Sequence, residues 1–267
     1  MIERADFGSP PVIPSAPVIL SEAKNLPPAS PSPRRTPPDG IDCPLCENRG
    51  YLTRVDETGR LFARECECMS RRRSLRQMRR SGLADLLETN TFKTYRIPDE
   101  WTKSCKAAAL NYVENGRGRW FYHSGKPGTG KTHLCTAICG KLLKRGEEVR
   151  YLLWREEVPE LKALVQDAAA YKARMDELSS VPVLYIDDFF KGNVSPADLN
   201  LAFALLNARY NRHNTRTILS SELPLSEIRR MDEAIGSRIY ERAKGYILHA
   251  PPDARNWRTT ETKETTP

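Results

Sequence analysis

The chain has 267 residues, 39% of them hydrophobic and 28% charged, with a formal net charge of +8. This is an ordinary globular balance, with enough apolar material for a real core and room for one or two domains. No apolar run reaches membrane length, so neither a spanning helix nor a membrane partner is expected, and the basic balance favours a polyanionic partner without dictating a fold.

The opening stretch MIERADFGSPPVIPSAPVIL is broken by prolines and carries Glu3 and Asp6, so it does not read as a secretion signal. The chain is therefore expected in the cytoplasm, where seven cysteines do not make a disulfide framework. Residues 1–40 are rich in proline, serine and alanine, have little to bury, and are expected to be a disordered extension.

Residues 41–70 place Cys43 and Cys46 before a hairpin pattern and Cys66 and Cys68 after it. Strand-like runs at Tyr51–Val55 and Leu61–Arg64 flank a turn at Asp56–Gly59, which would bring the two cysteine pairs together. Four thiolates at one end of a hairpin suit a closed, structural Zn²⁺ site that supplies folding energy to a small unit. Cys105, Cys135 and Cys139 lie apart from this cluster and read as core. Residues 69–88 are expected to form a dense cationic helix, and 71–90 are read as a basic helical linker. Its Arg71, Arg72, Arg73, Arg76, Arg79 and Arg80 suit either nucleic-acid phosphates or plain solvation.

From residue 91 to 252 strands and helices alternate, the pattern of a parallel sheet covered on both faces. A strand at Trp120–His123 runs into GKPGTGKT, residues Gly125, Lys126, Pro127, Gly128, Thr129, Gly130, Lys131 and Thr132, followed by His133. This is the G-x-x-x-x-G-K-[ST] phosphate loop. Its backbone N–H groups face the anion, Lys131 reaches the β/γ-phosphates and Thr132 binds Mg²⁺. A helix follows over Lys131–Arg145, stopped by Gly146, then a strand at Val149–Trp154 and a helix opened by Pro159 and running to about Leu178. The strand Val183–Asp187 delivers Asp187 to the metal shell, and Asp188 is placed to polarise an attacking water.

Ser195-Pro196 starts a helix to about Asn211. A fourth strand over Arg216–Ser220 ends in TILSSEL, where Ser220 and Ser221 are candidates to face the γ-phosphate and Glu222 is set aside as repelled by it. Asp232 caps a helix to Ala243. On it Arg238 is placed to act as an arginine finger in a neighbouring subunit's nucleotide site, with Arg242 as the fallback. A fifth strand over Tyr246–His249 follows, and residues 253–267 are expected to be a disordered tail.

GKPGTGKTHL, VLYIDDFFK, TILSSELPLSEI and DEAIGSRIYERAKG together resemble the AAA+ helicase loaders of the DnaC/DnaI type, over roughly Thr91 to Arg258. The segment CPLCENRGYL…ARECECM looks like the zinc-binding N-terminal domain of DnaI-like, phage or mobile-element loaders. The resemblance implies a P-loop NTPase sheet of the ASCE type behind a small zinc-binding hairpin domain. It also implies ATP as the nucleotide and a homo-oligomeric ring or spiral. The N-terminal domain would grip a replicative helicase, and the ATPase domain would touch single-stranded DNA. By position, Ser221 falls near the first sensor and Arg238 matches the finger. Two other readings stand beside it: an IstB-type transposition helper that remodels target DNA, and a zinc-and-arginine nucleic-acid binder whose nucleotide site is only a switch.

Overall fold

Five parallel strands form the centre of the computed structural model, which describes residues 39–55, 61–80 and 84–259. Ahead of that sheet stands an antiparallel hairpin, β1 (Tyr51–Val55) and β2 (Leu61–Glu65), in register from Tyr51 opposite Glu65 to Val55 opposite Leu61. The turn expected at Asp56–Gly59 and the extension expected over residues 1–38 lie outside the described residues. Helices α1 (Cys68–Arg80), α2 (Ala84–Thr89) and α3 (Glu100–Asn115) lead into the sheet. A capping box opens α3: Asp99 accepts from Thr102 N at 2.7 Å, and the Thr102 side chain returns to the Asp99 backbone.

Then β3 (Trp120–Ser124), α4 (Lys131–Lys144), β4 (Val149–Leu153), α5 (Trp154–Leu164), α6 (Ala168–Ser180) and β5 (Val183–Asp187) alternate. They are followed by α7 (Pro196–Tyr210), β6 (Arg216–Ser221), α8 (Leu225–Met231), α9 (Glu233–Ala243) and β7 (Ile247–His249). The sheet order is β4-β5-β6-β3-β7, with every pair parallel. Strands β3, β5 and β6 are buried along their whole length, because helices cover both faces. Residues alternate between two cores. Phe121, Val183, Tyr185 and Ile218 pack with α3 and α4. Trp120, Tyr122, Ile186 and Leu219 pack beneath α5, α7 and α9. The order matters for chemistry: β6 lies between the strand that feeds the phosphate loop and the strand that ends in Asp187, so its tip faces the gap between them.

Three expectations are corrected. The helix expected to open at Pro159 is two helices, and Pro159 lies inside the first. Trp154, buried edge-on against Phe189 at 4.9 Å, fixes the start of α5 at the strand end. Asp167 starts α6 by accepting from Ala169 N and Ala170 N. The basic linker is no linker: α1 begins at Cys68 within the cysteine segment, and Met78 is fully buried in the core around α4. Apolar residues spaced along a very basic helix were enough to dock it. Finally, the tail expected to be disordered from residue 253 is packed as far as Thr259. Ala250 N donates to Ser124 O (2.8 Å), Lys126 Nζ to Pro252 O (2.9 Å) and Trp257 N to Gly128 O (3.0 Å).

Candidate active site

The phosphate loop turns on glycines. Gly125, Gly128 and Gly130 have φ of 146°, 81° and 88°, values that L side chains rarely adopt, and a Cβ at Gly128 would run into the Asn256 amide oxygen. Gly130 leads directly into α4, so the helix N-terminus points its free N–H groups and positive dipole end at the loop. Lys131 is buried, and its ammonium donates to Gly125 O at 2.7 Å and Lys126 O at 2.9 Å. Burial lowers its pKa, while Glu222, Asp188 and Asp187 pull it back up.

Thr132 Oγ1 lies 3.4 Å from Asp187 Oδ1. The hydroxyl and the carboxylate converge as a shared Mg²⁺ shell requires, and these are the oxygen ligands that ion takes. Asp187 is held from every side: Ser220 Oγ donates to its Oδ1, Tyr151 OH to its Oδ2 at 3.3 Å, and Asp188 N to Oδ1 at 3.1 Å. Asp188 and Phe190 have φ of 52° and 58°, a non-glycine excursion into the left-handed region that costs energy and re-aims the chain at the strand end.

A cleft of about 680 Å³ opens over the loop. Of the sequence-derived residues, Pro127, Gly128, Gly130, Lys131, Thr132, His133 and Asp188 line it. Asp187 lies just beneath, bonded to Thr132. Gly125, Lys126 and Thr129 shape the loop from outside the wall, Thr129 by donating to Lys126 O at 2.9 Å. Ser221 is turned away: it is fully buried, donating to Phe189 O at 2.7 Å and accepting from Leu223 N. Its neighbour Glu222, set aside on charge grounds, is the β6-tip residue in the wall. Lys191 reconciles that charge with the site. Its ammonium lies 3.1 Å from Asp188 Oδ2 and 3.0 Å from Glu222 Oε1. That pairing needs the fold, because Lys191 and Glu222 belong to different strand ends.

Arg238 lies outside the cleft wall. It donates to Asn207 Oδ1 at 3.0 Å and Ala234 O at 2.8 Å, above the rings of Phe203 and Tyr210. Gly236 lets this helix approach α8, since a Cβ there would meet Arg229. Arg242 is tied down on Tyr210 O and His213.

The four cysteines Cys43, Cys46, Cys66 and Cys68 are buried with all Sγ atoms within 4.8 Å of one another, and Cys43–Cys66 and Cys46–Cys68 are 3.7 and 3.5 Å apart. Tetrahedral zinc with Zn–S of about 2.3 Å requires S···S of about 3.8 Å, so the donor set fits the ion. Glu47, Asn48 and Gly50 take left-handed φ and fold the chain back so that Gly50 N donates to Cys46 Sγ. Burial acts to raise the Cys46 thiol. The Gly50 N–H and the neighbouring thiols outweigh it and bring Cys46 down to about 7. Arg72, expected to face solvent or nucleic acid, is turned inward: it donates to Ile41 O and Asn48 Oδ1, and pairs with Asp39. Of the other arginines on α1, Arg73 pairs with Glu65, while Arg76, Arg79 and Arg80 are exposed.

Residues 47–247 match the family described as IstB-like ATP binding protein. The phage-like element PBSX protein XkdC of Bacillus subtilis (strain 168) is 33% identical over 223 residues, 78% of this chain and 81% of that protein. An uncharacterized protein of the same strain, YqaM, is 33% identical over 70% of this chain, which spans 63% of YqaM. The replicative helicase loader DnaC of Escherichia coli (strain K12) is 28% identical, covering 63% of this chain and 69% of the loader. In fold, a DnaC helicase loader crystal structure superposes with a TM-score of 0.51 at 23% identity, covering 60% of this chain and 95% of that one. With the phosphate loop, the Thr132–Asp187 pair and the inserted strand β6 in place, the chain belongs to the IstB/DnaC-like family of AAA+ ATP-binding ATPases.

Proposed function

We propose that this chain is a helicase loader: a cytoplasmic ATPase that binds a replicative helicase and single-stranded DNA and couples ATP hydrolysis to their assembly. The convergence of Thr132 and Asp187 beside the phosphate loop carries the ATPase half of this reading. Thr132 and Asp187 would hold Mg²⁺, which would supply positive charge to the β- and γ-phosphates. Lys131 exchanges its two backbone carbonyl partners for phosphate oxygens. Asp188, released from Lys191, orients the attacking water. Arg238 of a neighbouring subunit meets the charge that spreads over the γ-phosphoryl group in the transition state.

The loader half rests on the cysteine module. A hairpin whose four buried thiols would hold structural zinc makes a protein-docking unit, and α1 joins it to the ATPase core. A helicase held there would sense movement of the sheet. A second reading, target-DNA remodelling for a transposase, also fits the IstB-like family match. Pull-down of purified replicative helicase and of transposase on the full chain separates the two. Retention of helicase with DNA-stimulated ATP turnover supports the loader; retention of transposase alone overturns it.

A further inference from the structure

We infer that Trp257 is the platform on which the nucleotide's base stacks, so that the segment 250–258 supplies, through Trp257 and Arg258, the base-side wall of the site. This rests on the reading of the cleft as a nucleotide site and extends it to a segment that the phosphate-loop motifs do not reach. The chain has four tryptophans. Trp120 and Trp154 belong to one hydrophobic core and Trp101 packs against the other. Trp257 serves neither; its half-buried indole lines the cleft.

The backbone fixes it there. Trp257 N donates to Gly128 O (3.0 Å), Lys126 Nζ holds Pro252 O (2.9 Å), and Ala250 N continues the β7 ladder onto Ser124 O. The strap is thus bonded to the phosphate loop itself, and it sets the indole in the wall of the cleft that the loop also lines. Next to the indole the wall is aromatic and cationic: Tyr95 and Arg96 line the same cleft, and the Arg96 guanidinium lies 5.6 Å from the Trp257 ring centroid. Arg255, which does not line the cleft, lies 4.7 Å from that centroid. Arg96 is exposed, so a base entering between its guanidinium and the indole face would take the place of this cation–π contact. A flat, polarisable heterocycle is the ligand such a pair accepts. Stacking of this kind takes any nucleobase and prefers the larger purines.

The test measures binding of Mg·ATP and of Mg·tripolyphosphate, which has no base, to wild type, Trp257→Ala, Trp257→Phe and Lys131→Ala by competition against labelled ATP. Trp257→Ala is expected to lose ATP affinity roughly 5- to 100-fold, the range for removing one base–aromatic stack, with tripolyphosphate unchanged. Trp257→Phe is expected to keep most of the affinity, and Lys131→Ala to lose both ligands. Unchanged or tighter ATP binding by Trp257→Ala overturns the inference, and so does an equal loss of both ligands, which would make the strap a support for the loop. A wild type that binds no ATP fails at an earlier step, the nucleotide site itself, and is told apart because its own titration is blank.

Discussion

Glu222 places a negative charge where a γ-phosphate would bring more of the same sign, and Lys191 is the group that makes this tolerable. Both side chains are less than a third exposed, so the ion pair is partly shielded from solvent. Lys191→Ala is expected to weaken Mg·ATP binding roughly fivefold, while Glu222→Gln leaves it unchanged or tighter and the double variant recovers the loss. Isothermal titration of the four proteins checks this; equal affinity in wild type and Lys191→Ala would remove Lys191 from the site. Arg209 is a second residue whose role comes from the fold. It is fully buried, with no carboxylate partner among the described residues. Its guanidinium donates to the carbonyls of Leu178, Ser179, Val181 and Arg216 and to Thr217, and burial lowers its pKa to about 9. Arg209→Met orphans several buried acceptors and is expected to cost about 3 kcal/mol or more in urea unfolding; a shift under about 1 kcal/mol would contradict that. Neither residue was legible in the sequence, because each acts across elements whose adjacency is set by strand order. Lys131, Thr132 and Asp187 were legible because the loop and the strand-end acid are local patterns with a local physical cause.

At the scale of elements, the hairpin and α1 behave as one unit. Cys68 is both a thiol of the cluster and the first residue of α1, and Ser74 on that helix accepts Val149 N at 3.1 Å on the sheet edge. The full chain is expected to carry one zinc, released by Cys43→Ser and by Cys68→Ser, with faster amide exchange in α1 but not in β3 or β5. Native mass spectrometry with hydrogen exchange reads both, and metal-free protein with unchanged protection in α1 would refute the coupling. The hairpin and its paired cysteines were readable from spacing. The docking of α1 was not, because six arginines mask Leu75 and Met78, which bind it to the core. Strand β3 holds a different expectation. His123 is buried with neither ring nitrogen paired among the described residues, and burial, helped by Lys131, pushes its pKa down to about 3. The unfolded state therefore binds a proton more readily, so stability is complete above about pH 6.5 and falls as pH drops toward 3. His123→Phe should flatten that fall in denaturation midpoints measured from pH 7 to 4.5; an unchanged slope would assign it to other groups.

In the whole molecule, the alternation of strands and helices made the parallel sheet readable, since the central strands β3 and β5 are buried along their length and read largely as apolar runs. The break between α5 and α6 and the packed tail were hidden, the first by a helical pattern running through Asp167, the second by a polar stretch held through the backbone groups of Ala250, Pro252 and Trp257. Arg238 belongs to this scale, because it is held on its own α7 and α9 outside its own cleft. Arg238→Ala is expected to bind ATP normally and lose at least tenfold in turnover. Mixing it with Lys131→Ala should restore part of the rate, because one variant keeps the nucleotide site and the other the arginine. No recovery on mixing, or a large loss of ATP affinity in Arg238→Ala, would place the arginine in cis.

The most direct measurement is equilibrium dialysis of the full chain against saturating ATP and Mg²⁺, with Lys131→Ala in parallel. One nucleotide retained per wild-type chain, and none by the variant, is the predicted result. Wild-type protein that retains none, or a variant that retains as much, would contradict the account.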